Sequence, residues 1–106
     1  MKLLGTSATA FTLTLFALAP PAIAHSPICA CFDNGDGTVT CEGGFSDGAS
    51  AEGVAMRIVD ESDRVLQVGE MDARSTYTFD TPDGEFHVIF DAGMSHIVTI
   101  FSGDIE

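Results

Sequence analysis

The chain has 106 residues and carries 16 acidic side chains against four lysines and arginines, a formal net charge of −12. That length suits one domain and no more. The charge argues against nucleic acid and anionic membranes as partners, since both would repel it.

Lys2 is the only charge in the first 24 residues, Leu3 to Leu18 is almost wholly apolar or small, and Ala22-Ile23-Ala24 is a small-x-small cleavage site. A basic start, an apolar middle and such a site predict a secretory signal peptide over residues 1–24. The apolar run is short for a transmembrane helix and Pro20-Pro21 ends it, so no membrane insertion is expected after cleavage. Residues 25–106 then form a single periplasmic or secreted domain. It keeps all 16 acids with only Arg57, Arg64 and Arg74 as cations, a formal charge of −13. A domain of that size sits near the lower limit for a self-sufficient core, and a disulfide would help it.

Its first residue is His25. Ile28 to Phe32 reads as a strand, Asp33-Asn34-Gly35-Asp36-Gly37 as a turn and Thr38 to Cys41 as the returning strand, because Asn and Gly supply the positive φ angles of a tight hairpin. The turn is too short for an EF-hand calcium loop and lacks its distal Glu. If Phe32 faces Thr38, Cys29 faces Cys41, with Cys31 on the same sheet face two residues away. The expected disulfide is therefore Cys29–Cys41, leaving Cys31 over. Lipid attachment at Cys31 is a minor alternative, since the cysteine lies far past the apolar run. A thiolate site for Cu(I) or zinc is a further one, which an oxidising compartment disfavours against the disulfide. The Cys-x-Cys spacing is not that of a thiol oxidoreductase.

Glu42 to Gly53 reads as a loop that could include one short strand around Phe45. Strands follow at Val54–Val59, Val65–Val68 and Thr76–Phe79, separated by polar turns. Then come two β-branched, aromatic-rich strands between Phe86 and Phe101, joined at Gly93. On the first of these, Phe86, Val88 and Phe90 would face the core and His87, Ile89 and Asp91 the other way. No stretch of residues 25–106 has helical periodicity with caps. About seven short strands with turn punctuation predict an all-β fold, a small antiparallel β-sandwich.

The order Gly53-Val54, acidic turn, Val65-Leu66-Gln67, Tyr77-Thr78-Phe79, Pro82-Asp83-Gly84-Glu85-Phe86 and a long apolar strand resembles the transthyretin-like or carboxypeptidase-regulatory-like sandwich. Within it, Asp91-Ala92-Gly93-Met94-Ser95-His96, in a chain whose mature start is His25, is similar to the extracytoplasmic additional components of nickel and cobalt uptake systems. That resemblance implies a nickel or cobalt transport context with a membrane metal transporter or receptor as partner. Those components usually carry a membrane segment as well, and this sequence ends at Glu106.

The residues themselves point to a metal. An N-terminal His chelates a divalent ion through its amine and a ring nitrogen, which suits nickel, cobalt or copper. Pro27 has no N–H, so the remaining ligands must come from elsewhere in the fold. With a two-residue Gly93-Met94 turn, Asp91 faces His96, and His87 is about 13 Å away along the sheet. With a three-residue turn, His87 and His96 lie on opposite faces. The expected metal ligands are therefore His25 and His96, helped by Asp91 or by the thioether of Met94. The expected function is a non-enzymatic accessory protein that binds a divalent transition metal for uptake or delivery. The alternative is a β-sandwich interaction module without metal. A copper oxidase is disfavoured, because no spaced His pair completes a site with His25 and no acid pair is placed for catalysis.

Overall fold

The computed structural model describes residues 25–106, so the expected signal peptide lies outside the described residues. Seven strands form two antiparallel sheets: β1 (Pro27–Asp33), β2 (Thr38–Phe45), β3 (Ala55–Asp60), β4 (Val65–Glu70), β5 (Thr76–Asp80), β6 (Phe86–Asp91) and β7 (Ile97–Phe101). The orders are β1-β2-β5 and β4-β3-β6-β7. The all-β sandwich and its strand count agree with the sequence reading.

Period-2 alternation decides which side chains face inward. Phe86, Val88 and Phe90 of β6 are buried while His87, Ile89 and Asp91 are only partly covered. They meet Met56 and Ile58 of β3, Val39 and Cys41 of β2 and Phe79 of β5 in one core, with Met71 filling its edge. Beyond β7, the chain ends in a single 3-10 turn at Ser102–Asp104, where Ile105 packs back on the core.

Two glycines let aromatic rings span the layers. A Cβ on Gly43 would stand 2.6 Å from Cε2 of Phe90, and one on Gly69 would stand 2.5 Å from Cε1 of Tyr77. Glycine weakens a strand but permits this close approach. That is why β2 runs unbroken through Gly43-Gly44 to Phe45, where the composition had suggested a loop.

The first hairpin differs from expectation in register. Phe32 faces Thr40 rather than Thr38, and Cys31 faces Cys41. The cause is the turn chemistry. Asn34 does not belong to the loop: its N–H donates to the Thr38 carbonyl, and its side-chain amide donates to the Thr38 and Thr40 hydroxyls. Asp36 Oδ1 accepts from both the N–H and the hydroxyl of Thr38. The loop is thereby shortened to Gly35-Asp36-Gly37. The disulfide is accordingly Cys31–Cys41, and Cys29 is the free thiol. This corrects the expected Cys29–Cys41 pairing. The slide was by an even number of residues, so all three cysteines stay on one sheet face.

Candidate metal centre

His25 is fixed just ahead of β1. The Ser26 N–H donates to Ser46 Oγ at 2.9 Å and the Ser46 N–H donates to the Ser26 carbonyl at 2.9 Å, extending the β1–β2 ladder past Phe45. The imidazole lies flat on the Phe45 ring, with centroids 4.8 Å apart and planes at 14°. Phe45 in turn touches Phe90 of the opposite sheet, centroid to centroid 6.0 Å. His25 Nδ1 is 2.9 Å from Asp47 Oδ2, and the other oxygen of Asp47 accepts from the Ala49 N–H.

His96 arrives from the four-stranded sheet. The β6–β7 loop has three residues, Gly93-Met94-Ser95. It is closed by the Ala92 N–H on the His96 carbonyl and the His96 N–H on the Gly93 carbonyl. Ser95 supplies the left-handed φ of 68° that completes it. Asp91 therefore faces Ile97, not His96. The odd-length loop sends His96 to the inner side of its sheet. There its ring meets His25 edge-on, with centroids 5.8 Å apart and planes at 75°. Its Nδ1 lies 3.0 Å from the Met94 carbonyl.

Of the residues singled out in the sequence, the structure brings His25 and His96 together and keeps Asp91 away. Asp91 Oδ2 accepts from Arg57 Nη1 at 2.9 Å on the outer face, and Oδ1 accepts from the Gly93 N–H. The Arg57 guanidinium, followed by that N–H, holds its carboxyl below the usual carboxylate range. Met94 stands at the loop tip, 82% exposed as a residue, contributing its carbonyl to His96. His87 points outward against Phe101, centroids 4.6 Å apart. Asp47 and Phe45 complete the surroundings of His25, and neither was anticipated. Continuing the observed ladder two residues beyond the Pro27–Phe45 pair sets His25 opposite Asp47.

Both histidines have a defined donor nitrogen. A carboxylate and a carbonyl can only accept, so Nδ1 of each ring donates, and the neutral imidazole then presents the lone pair of Nε2. An oxygen that fixes one ring nitrogen while the other is left for an ion is the common outer-shell arrangement of metal-binding histidines. Metal–nitrogen bonds of about 2.0–2.1 Å put the centroids of two imidazoles on one ion roughly 4.5–6.5 Å apart, so the observed separation fits a shared ion. The nitrogen an amine chelate would use, His25 Nδ1, is the one that Asp47 holds.

A second cluster lies further along β1. The sulfurs of Cys29, Cys31 and Cys41 all lie within 4.8 Å of one another. Burial pushes the Cys29 thiol up to about 11. An open groove of about 420 Å³ runs beside them, lined by Cys29, Phe32, Ile100, Asp104 and Glu106 among others.

No protein-family model matches the chain, and no curated protein or solved structure is significantly similar to it. Among the described residues no helix is long and apolar enough to cross a membrane.

Proposed function

We propose that the protein is an extracytoplasmic accessory factor that binds a divalent transition metal, nickel, cobalt or copper, for uptake or delivery. One observation carries the reading: two histidines, one from each sheet, meet at one end of the sandwich, each with Nδ1 tied to an oxygen. Their two Nε2 atoms are the primary ligands, and Asp47 orients His25. Imidazole donors suit these late divalent ions. The ion is cargo: it is held at an exposed edge and passed to a membrane transporter or receptor unchanged. The Cys31–Cys41 disulfide supports an oxidising compartment, periplasmic or extracellular. The acidic surface raises the local cation concentration.

The test is titration of the chain beginning at His25 with Ni(II), Co(II) and Cu(II), alongside His25→Ala, His96→Ala and an N-terminally acetylated form. Binding lost in both alanine variants and retained after acetylation is expected. Loss on acetylation would replace the Nε2 pair with an amine chelate, and binding unaffected by either substitution would sink the reading.

A second reading has one observation in its favour. Val65, Val68, Ile97 and Phe101 stand half or more exposed on β4 and β7, the edge strands of one sheet. Such a surface suits a β-sandwich interaction module that carries no metal. Absence of metal binding in that titration would favour it.

A further inference from the structure

The three cysteines form the densest group of metal-ligating side chains among the described residues, and they lie apart from the histidine pair. We propose that reduction of the Cys31–Cys41 disulfide turns this cluster into a three-sulfur site for a soft monovalent ion, Cu(I). The ion enters through the groove between β1 and β7.

Three relationships support it. First, the sulfurs already converge. A metal–sulfur bond of about 2.3 Å sets trigonal sulfurs on the order of 4 Å apart. The three lie within 4.8 Å of one another while two are still bonded to each other. Opening that bond lets the pair spread to the required spacing within the space the cluster occupies. Second, the backbone positions do not depend on the disulfide. Cys31 and Cys41 are ladder partners in a hairpin whose turn is tied by Asp33, Asn34 and Asp36, and Cys29 follows on the same face. Third, the site is reachable from the groove. Cys41 is fully buried, while Cys29 and Cys31 line the groove together with Asp104 and Glu106, whose carboxylates draw cations to its mouth. Thiolate sulfur selects Cu(I) over the hard and borderline divalent ions that the histidines suit.

The chemistry balances with a dithiol as reductant. The dithiol gives two electrons and two protons to the disulfide, is itself oxidised to a disulfide, and leaves Cys31 and Cys41 as thiols. Cu(I) then forms three copper–sulfur bonds and displaces three protons, one from each thiol.

The test uses the full-length chain expressed with its own leader, so that its native processing is retained, in a His25→Ala, His96→Ala background. Removing the histidine pair keeps the outcome independent of the function proposed above. Oxidised and dithiol-reduced forms are titrated with Cu(I) against a chromophoric Cu(I) chelator. Far-UV circular dichroism follows the fold, and X-ray absorption gives the copper coordination. The expected result is one Cu(I) per reduced chain with three sulfur neighbours. The oxidised form should bind none, and Cys29→Ser, with the disulfide intact before reduction, should bind Cu(I) more weakly with only two sulfur neighbours. Equal affinity in Cys29→Ser, equal uptake by the oxidised form, or loss of the β-sheet signal on reduction would each overturn the proposal.

Discussion

The ring of Phe90 occupies the space where a side chain on Gly43 would begin: Cε2 lies 2.6 Å from the ideal Cβ position. The contact crosses the sandwich. It allows β2 to lie close against β6 while its end carries Phe45 and Asp47 toward His25.

Substituting Gly43 by Ala should therefore destabilise the fold. Met71 Cε at 3.1 Å could yield, but Phe90 is fully buried and has no free direction. A loss of about 2–3 kcal/mol in urea unfolding is expected, within the usual range for overpacking a core. A loss below about 0.5 kcal/mol, the level of a neutral surface change, would show that the sheets separate easily.

Asp47→Asn tests the orientation of His25. The amide presents both a donor and an acceptor, so the ring is no longer held in one tautomer. Metal affinity should fall about 10-fold or more, as for other outer-shell partners, with thermal stability nearly unchanged. Asp91→Asn is the matched control: its carboxylate serves Arg57 and the loop, so metal affinity should move by less than about twofold.

The disulfide closes a short loop, with ten residues of sequence separation. Chain-entropy reasoning gives it about 2–3 kcal/mol. Cys41→Ser should lower stability by that order and Cys29→Ser by much less. If Cys29→Ser cost as much as Cys41→Ser while Cys31→Ser cost little, the Cys31–Cys41 pairing would be overturned in favour of Cys29–Cys41.

Two pH limits follow from groups with opposite shifts. Backbone N–H donation from Arg64 and from Thr76 is the main cause holding Asp60 and Asp72 below the usual carboxylate range, and the Arg57 side chain does the same for Asp91. The unfolded chain therefore takes up those protons first as pH falls. Their contribution is complete above about pH 4 and disappears below it. Cys29 behaves in the opposite sense. Its thiol is raised to about 11, so the folded state favours the protonated form, and that advantage is lost as pH climbs from about 8.5 toward 11. The melting temperature should fall both below the lower limit and above the upper one. Iodoacetamide should label Cys29 slowly at pH 8 in the folded chain and rapidly once the chain is unfolded.

Most of the fold could be read from alternation and turn residues, because those signals are local. Phe86, Val88 and Phe90 announce their buried face without help from the rest of the chain. The meeting of His25 and His96 was legible in part: it needed a terminal residue of one sheet and a loop residue of the other, and few other nitrogen ligands exist. Asp47 was not, and a single misreading explains it. Placing Asp33 and Asn34 in the turn shifts the first hairpin by two, which exchanges Cys31 for Cys29 in the disulfide and sets Phe45 instead of Asp47 opposite His25. Asp91 was assigned to the site for a related reason. A two-residue turn aligns it with His96, whereas positive φ angles at both Gly93 and Ser95 make the loop three residues long. Loop length is set by such side-chain and φ choices, which alternation cannot register.

Among the described residues the one disulfide joins neighbours within the three-stranded sheet, so no crosslink stitches one layer to the other. Side-chain packing, the chain connections and contacts such as the Gln67 amide on the Asp80 carbonyl hold the layers together instead. An ion gripped by His25 and His96 would act as a rivet through both sheets at that end. If the proposed ion is held there, its binding should raise the melting temperature of the sandwich, and a chelator should return it to the metal-free value.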